Sequence, residues 1–312
     1  MSGKVDLKGK DILHGNQFSK EEVVAILNVA SELENELKNR NSLDILKGKL
    51  LATLFFEPST RTRLSFEAAM ARLGGSVISM ASAESSSAAK GETVADTART
   101  VDQYADVIVI RHPRIGSAKE AADAATVPVL NAGDGAGQHP TQALLDIYTI
   151  QKEIGRLDNL NIALVGDLKN GRTVHALVEV LSLYKPKFLF VSPAVLRMPE
   201  EIILNLRNKG IDVSETEDLK KASSECDLIY MTRIQKERFS DMSEYERVKG
   251  FYVINDDFIR GLTKKLVILH PLPRVDEIST GVDSYAGAAY FRQVRNGVFV
   301  RMALLSMVLG KR

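Results

Sequence analysis

The stretch KLLATLFFEPSTRTRLSFEAAMARLGG, Lys49 to Gly75, decides the fold. Its first eight residues form an almost continuous apolar run, too short for a helix and stopped at Pro58. Such a run predicts a strand buried on both faces. After STRT the apolar spacing becomes helical through Ala71 and ends at Gly74 and Gly75, the usual signal for a helix C-terminus. The order is strand, turn, helix. It recurs outward from here: SVISM (Ser76–Met80), DVIVI (Asp106–Ile110) and VPVL (Val127–Leu130) are short apolar runs separated by helical segments. That alternation predicts a parallel sheet covered by helices. Upstream, Ser19 and Glu22 have capping-box spacing at the start of an amphipathic helix.

Beyond the helical TQALLDIYTIQKEIG a second series begins, with strands in NIALVGD, KFLFVSP, DLIYMTR and KLVILHPLP, and the segment from Tyr290 to Leu309 is again helical. A chain of 312 residues exceeds one comfortable core, since domains run to about 150 residues. The fold class expected is therefore α/β, with two domains that are each a parallel sheet flanked by helices. Ligands of such sheets bind beyond the carboxyl ends of the strands. The polar residues following each apolar run are where chemistry is sought.

Composition narrows the classes. Lys and Arg total 41 against 40 Asp and Glu, a net charge of +1, so no global charge argues for nucleic acid or a membrane. Any anion site must be local. The lone Cys226 excludes an internal disulfide and any cysteine-rich metal knuckle. No apolar run approaches the ~18 residues needed to span a bilayer, and the opening MSGKVDLKGKDILHGNQFSKEE lacks an apolar signal core. A cytoplasmic protein is expected. SAESSSAAKGE, Ser82 to Glu92, is small and polar and reads as a loop.

The quoted stretch also holds a constellation. With a helix starting near Ser59, its first amides, the hydroxyls of Ser59, Thr60 and Thr62 and the guanidinium of Arg61 converge on the positive end of a helix dipole. Arginine supplies a planar fork matched to phosphate oxygens. Helix capping would account for Ser59 alone, not for four residues, so the spacing predicts a phosphate cradle. His139 and Gln142, one helical turn apart at a helix start, share a face. Arg111, Arg172 and Arg233 each follow a predicted strand, where a lone arginine is more often a surface charge. No nucleophile triad or metal-ligand cluster is apparent, and no cofactor is expected.

STRTRLSFE, RHP (Arg111–Pro113), HPTQ (His139–Gln142) and HPLPR (His270–Arg274) resemble the motifs of the transcarbamoylase family. NAGDGAGQHPTQALLD, VGDLKNGRTVHAL, YMTRIQKER and HPLPRVDEI are similar to its aspartate branch, and the likeness extends over nearly the whole chain. The resemblance implies transfer of a carbamoyl group from carbamoyl phosphate to the α-amine of L-aspartate, an early step of pyrimidine biosynthesis. It implies that residues 1–141 with 291–312 bind carbamoyl phosphate and 142–290 bind aspartate, with the active site in the cleft between the domains. Carbamoyl phosphate would engage Ser59, Thr60, Arg61, Thr62, Arg111, His139, Gln142 and the carbonyls of Pro271 and Leu272. Thr62, Arg111 and His139 would hold the oxyanion. Ser87, or the neighbouring Ser85 or Ser86, and Lys90 would reach the site of an adjacent subunit, making a homotrimer the smallest complete enzyme, to which separate regulatory chains can attach in this family. Aspartate would meet Lys90, Arg172, Arg233 and Gln235. Arg238 and Glu244 resemble residues that support domain closure, Asp167 reads as a partner for nearby arginines, and Asn170 departs from the tyrosine that related chains often carry. Two rivals stand. An ornithine-type enzyme needs acidic groups for its second substrate and usually a cysteine after the late histidine, where this chain has Pro271. A non-catalytic phosphometabolite-binding regulatory protein would need only the first cradle.

Overall fold

The computed structural model describes residues 5–82 and 87–312, with the backbone alone for Ser87 and Ala88. The chain divides into two compact units, Met1–Tyr148 with Val294–Arg312, and Thr149–Gln293. Each is built on one parallel sheet.

The first unit runs α1 (Lys20–Glu36), β1 (Leu50–Phe55), α2 (Thr60–Arg72), β2 (Ser76–Met80), α3 (Val94–Asp102), β3 (Val107–His112), α4 (Ser117–Ala124), β4 (Val129–Asp134) and the start of α5 (Pro140–Ile154), whose last residues belong to the second unit. The capping box of α1 is formed: Ser19 Oγ accepts from the Glu22 N–H at 3.1 Å and the Ser19 N–H donates to Glu22 Oε2 at 2.9 Å. Sheet order is β2-β1-β3-β4. Strands β1 and β3, in the interior of the sheet, and β4 at its end carry Ala52, Leu54, Ile108, Ile110 and Val129 into a core closed by Ala98, Ala118 and Ala121 of α3 and α4. Burial of β1 and β4 along nearly their whole length follows from helices covering both faces. At the edge, β2 is largely exposed.

The second unit runs β5 (Asn161–Val165), α6 (Arg172–Leu181), β6 (Lys187–Val191), α7 (Glu200–Asn208), β7 (Asp212–Thr216), α8 (Leu219–Glu225), β8 (Leu228–Met231), α9 (Met242–Val248), α10 (Asp256–Arg260) and β9 (Val267–Leu269). Helix α11 (Tyr290–Val308) begins here and ends in the first unit. Sheet order is β7-β6-β5-β8-β9. Ala163, Val165, Leu189, Val191, Ile229, Met231 and Ile268 pack one face against Tyr252 and Tyr290.

Two sequence expectations are corrected. The strand expected at VPVL, Val127–Leu130, is β4 at Val129–Asp134; it runs on through NAGD, pairing with β3 across a register shift between Ile110 and His112. Ile12 donates its N–H to Val129 O at 2.9 Å and accepts the Asn131 N–H at 2.8 Å, while Asn131 Nδ2 donates to Leu13 O at 3.0 Å. Strand β7 was not anticipated, because DVSET is an edge strand with polar residues on both faces. No helix among the described residues is long and apolar enough to cross a membrane.

In both sheets the chain reverses its direction of growth at one place. From β1 it adds β2 on one side and later β3 on the other; from β5 it adds β6 and β7 on one side and then β8 and β9 on the other. Loops leaving the carboxyl ends of such a strand pair diverge and leave a crevice. The crevices lie beyond Phe55 and Arg111 in one unit, which pair in register, and beyond Val165 and Met231 in the other, which also pair.

Candidate active site

At the first crevice, α2 begins at Thr60 with Ser59 as its N-cap. Ser59 has extended backbone there but its hydroxyl makes no capping bond, and the first turn of α2 holds no acidic residue. The first turn thus supplies no carboxylate of its own to offset the positive helix end. Thr60 and Arg61 are exposed, Ser59 is half-buried and Thr62 is buried. A serine hydroxyl that makes no capping bond at a helix N-terminus can donate to an anion there.

Arg111, at the carboxyl end of β3, is next to this helix end because β3 pairs with β1. Its Nη2 donates to Glu57 Oε1 at 2.9 Å and its Nη1 to Ala132 O on β4 at 3.3 Å. The guanidinium side chain is only 11% exposed, so its charge acts in a medium of low polarisability where it is felt strongly. Sequence reading missed Glu57. The only signal was an acid between Phe56 and Pro58 in an otherwise cationic turn.

The loop after β4 is organised by Asp134, buried, which accepts the N–H of Gly116 at 3.0 Å and of Gln138 at 2.9 Å through its two oxygens. This delivers His139 and Gln142, both buried, to the start of α5. Gln142 Nε2 donates to Asp146 Oδ1 at 2.8 Å, one turn further along the helix. That bond fixes the amide orientation and leaves Oε1 as the acceptor for an incoming N–H. Arg301 on α11 completes the support. Its Nη1 donates to Ser65 Oγ of α2 at 2.8 Å and its guanidinium lies 5.0 Å from the Phe66 ring. Burial pushes the Arg301 pKa down to about 10, against the attraction of Asp146. Neither Asp146 nor Arg301 was legible as functional, because each lies on a helix face that reads as core.

The second crevice starts at Gly166, with φ of +113°, where an added Cβ would lie 2.3 Å from Thr232 O. Only glycine lets the two strand-end loops approach this closely. Asp167 follows, fully buried, accepting from Asn170 N at 3.0 Å and Asn170 Nδ2 at 3.2 Å. Burial raises the Asp167 pKa, opposed by those bonds and by the Gln235 N–H. Its bonding partners are thus Asn170 and Gln235, where the sequence reading had expected arginines. Asn170 O in turn accepts from Gln235 Nε2 at 3.3 Å, joining the loop that carries Arg172 to the loop that carries Arg233 and Gln235.

Arg172 opens α6 and is half-buried. Arg233 is gripped by Glu237, with Nη1 3.0 Å from Oε2 and a second close contact between Nη2 and Oε1. This bond, more than offsetting burial, holds the Arg233 pKa above its ordinary value. A solvent-open recess of about 310 Å³ lies beside these strand ends, lined by Thr232, Ile234, Tyr245, Lys249, Asp276 and Glu277. Arg238 and Glu244 are exposed. Beyond β9, Leu272 adopts φ of +57°, in the left-handed region. Pro271 and Leu272 are half-buried.

The structure thus gathers Ser59, Thr60, Arg61, Thr62, Arg111, His139 and Gln142 around one set of strand ends, and Arg172, Arg233, Gln235, Pro271 and Leu272 around another. Lys90 is exposed in a short 3-10 turn, Ser87–Lys90. Ser85 and Ser86 lie outside the described residues.

Residues 10–152 match the aspartate/ornithine carbamoyltransferase carbamoyl-P binding domain, and residues 158–308 match the Asp/Orn binding domain. The chain belongs to the aspartate/ornithine carbamoyltransferase family. It is 56% identical over 306 residues to the aspartate carbamoyltransferase catalytic subunit of Thermococcus kodakarensis, covering 98% of this chain and 99% of that one. To the chloroplastic aspartate carbamoyltransferase of Arabidopsis thaliana it is 53% identical over 302 residues, covering 96% of this chain and 77% of the relative. Among solved structures, aspartate transcarbamoylase from Trypanosoma cruzi in complex with carbamoyl phosphate and aspartate matches with a TM-score of 0.93 at 45% identity, over 97% of this chain and 98% of that one. The catalytic subunit of M. jannaschii aspartate transcarbamoylase matches with a TM-score of 0.90 at 51% identity, over 96% and 98%. The two crevices of this carbamoyltransferase fall one in each matched domain.

Proposed function

We propose that the chain is an aspartate carbamoyltransferase, forming N-carbamoyl-L-aspartate and phosphate from carbamoyl phosphate and L-aspartate. The observation that carries the choice of second substrate is the pair Arg172 and Arg233 at the reversal point of the second sheet. Two guanidinium forks suit the two carboxylates of aspartate, whereas the cationic side chain of ornithine would be repelled there. Residues 1–141 with 291–312 take carbamoyl phosphate and 142–290 take aspartate. Lys90, Arg172, Arg233 and Gln235 bind aspartate.

In the reaction the neutral α-amine of aspartate attacks the carbonyl carbon of carbamoyl phosphate. The C–N bond forms as the carbonyl π pair moves to oxygen, and this oxyanion receives bonds from the Thr62 hydroxyl, the Arg111 guanidinium and the His139 imidazole. Gln142 Oε1 accepts from the carbamoyl amide, and the carbonyls of Pro271 and Leu272 accept from the substrate nitrogens. Collapse breaks the bond from carbon to the phosphate oxygen. Phosphate departs into the cradle of Ser59, Thr60, Arg61 and Thr62 and takes the amine proton. Orientation of two anions and preorganised donors at the oxyanion supply the acceleration.

The working unit is a homotrimer, in which Ser87 and Lys90 complete the carbamoyl phosphate site of the neighbouring subunit. Leu64 on α2 and Ile78 on the edge strand β2 are 50% and 39% exposed, apolar surface that association would cover. Such trimers can carry separate regulatory chains, and the enzyme works in the cytoplasm, consistent with its single buried cysteine. A colorimetric ureido assay tests the central assignment. Product is expected from carbamoyl phosphate with aspartate and none with ornithine. Turnover of ornithine, or of neither amine, would reject it.

A further inference from the structure

The HPLP turn is held by a residue to which nothing above assigns a role. His270 lies at the end of β9 with its side chain 1% exposed. Its Nδ1 accepts the Leu272 N–H at 2.8 Å, its Nε2 is 2.7 Å from Glu277 Oε1, and its own N–H donates to Gln293 Oε1 at 3.0 Å. An imidazole nitrogen that accepts a backbone N–H carries no proton, so Nε2 is the protonated nitrogen and donates to the carboxylate. Glu277 Oε2 turns back to accept the N–H groups of Val275 and Asp276, each at 3.2 Å. One carboxylate therefore closes the segment 270–277 on itself through the imidazole. Arg274, within that segment, is tied to Asp283 and to Tyr290 Oη.

We propose that His270 is a positioning residue for carbamoyl transfer: its imidazole, oriented by Glu277, locks the Leu272 N–H and so sets the direction of the Pro271 and Leu272 carbonyls. Leu272 shows why a lock is needed. A non-glycine residue at positive φ is in a disfavoured conformation and persists only where its surroundings over-determine it. The bond from the Leu272 N–H to Nδ1 is such a constraint, and it leaves the carbonyls of a turn whose prolines lack N–H groups to serve as acceptors. Glu277 acts through the imidazole. Its lowered pKa, burial being overcome by the His270 bond and the backbone N–H groups, keeps it an acceptor. This inference rests on the carbamoyltransferase reading for the ligands of those carbonyls, but not for the lock itself.

Two substitutions separate positioning from packing. His270→Asn places Oδ1 near the site of Nδ1 and retains an acceptor for the Leu272 N–H. His270→Gln places an amide near Nε2, retains a partner for Glu277 and removes that acceptor. In His270→Gln, kcat is expected to fall roughly 10²-fold, as a displacement of about 1 Å can cause. The inhibition constant for inorganic phosphate should stay within about twofold, because the cradle belongs to the other unit. His270→Asn is expected to recover at least about tenfold of the lost kcat. Hydrogen exchange at the Leu272 amide, read by mass spectrometry, should quicken about tenfold or more in His270→Gln and much less in His270→Asn. Wild-type kcat in His270→Gln, or equal losses in both variants together with weakened phosphate binding, would overturn the proposal. Exchange does not depend on activity. A wild-type protein that makes no carbamoyl-aspartate but shows the exchange pattern would reject the functional reading and keep the lock, and an unchanged exchange rate would reject the lock alone.

Discussion

Replacing Arg111 with alanine is expected to lower kcat by roughly 10²- to 10³-fold, the range seen when one donor to a developing oxyanion is removed. The argument starts from position. Arg111 lies near the carboxyl end of β3 and pairs with Phe55 of β1, which places it at the first crevice beside the N-terminus of α2. It is nearly buried and already oriented by Glu57 and the carbonyl of Ala132. A charge held in this way is not reorganised as the oxyanion forms, and that is where preorganised donors act most strongly. Lysine restores the charge but not the planar fork, so Arg111→Lys should recover only part of the loss. Alanine also leaves Glu57 without its ion-pair partner, so thermal stability should fall as well. The two effects are separated by assaying below the melting transition of each variant. An unchanged kcat with only a raised KM for carbamoyl phosphate would mean that Arg111 binds the ground state and contributes nothing specific to the transition state.

Activity should reappear when two inactive variants exchange subunits. Arg61→Ala removes the guanidinium of the cradle, and Lys90→Ala removes a cation that, in the proposed trimer, is offered to the neighbouring subunit's cradle. Each homotrimer is expected to lose roughly 10²-fold or more in turnover, as happens when a reacting group is misplaced or a donor is lost. In a mixed trimer, a Lys90→Ala subunit supplies an intact Arg61 and an adjoining Arg61→Ala subunit supplies an intact Lys90. With random exchange at equal concentrations about one site in four is whole, so roughly a quarter of wild-type activity should return in a cyclic assembly. If one chain held the complete site, every site in the mixture would carry one lesion and nothing would return. Mixed species verified by native mass spectrometry but lacking activity would therefore exclude the shared site.

How much of this was legible in the sequence depended on whether a residue's role is local. Strand β1, strand β2 and the capping box of α1 were read correctly because apolar runs, glycine stops and Ser-x-x-Glu spacing act over a few residues. The helix at Thr60 was likewise legible, and only the structure shows that Ser59 does not cap it. Strand β7 was hidden because an edge strand needs no apolar signature. The end of β4 was hidden because Asn131 and Asp134 are satisfied by partners distant in sequence, Leu13 and Gly116. The same holds at the site. The ligand candidates sit in short motifs, but Glu57 and Arg301 work through bonds to side chains far away in sequence, Arg111 and Ser65, that no local spacing reveals. Asp167 is the instructive miss: an acid near arginines invites an ion pair, yet its oxygens are taken by Asn170 and the Gln235 N–H.

The most direct measurement is a crystal structure of the protein with N-(phosphonacetyl)-L-aspartate, which joins a phosphonate to the two carboxylates of aspartate in one molecule. The phosphonate is predicted to lie on the hydroxyls of Ser59, Thr60 and Thr62 and the guanidinium of Arg61, with its carboxylates on Arg172 and Arg233 and its carbonyl oxygen within reach of Thr62, Arg111 and His139. A phosphonate bound away from the start of α2, or carboxylates that touch neither Arg172 nor Arg233, would contradict the account.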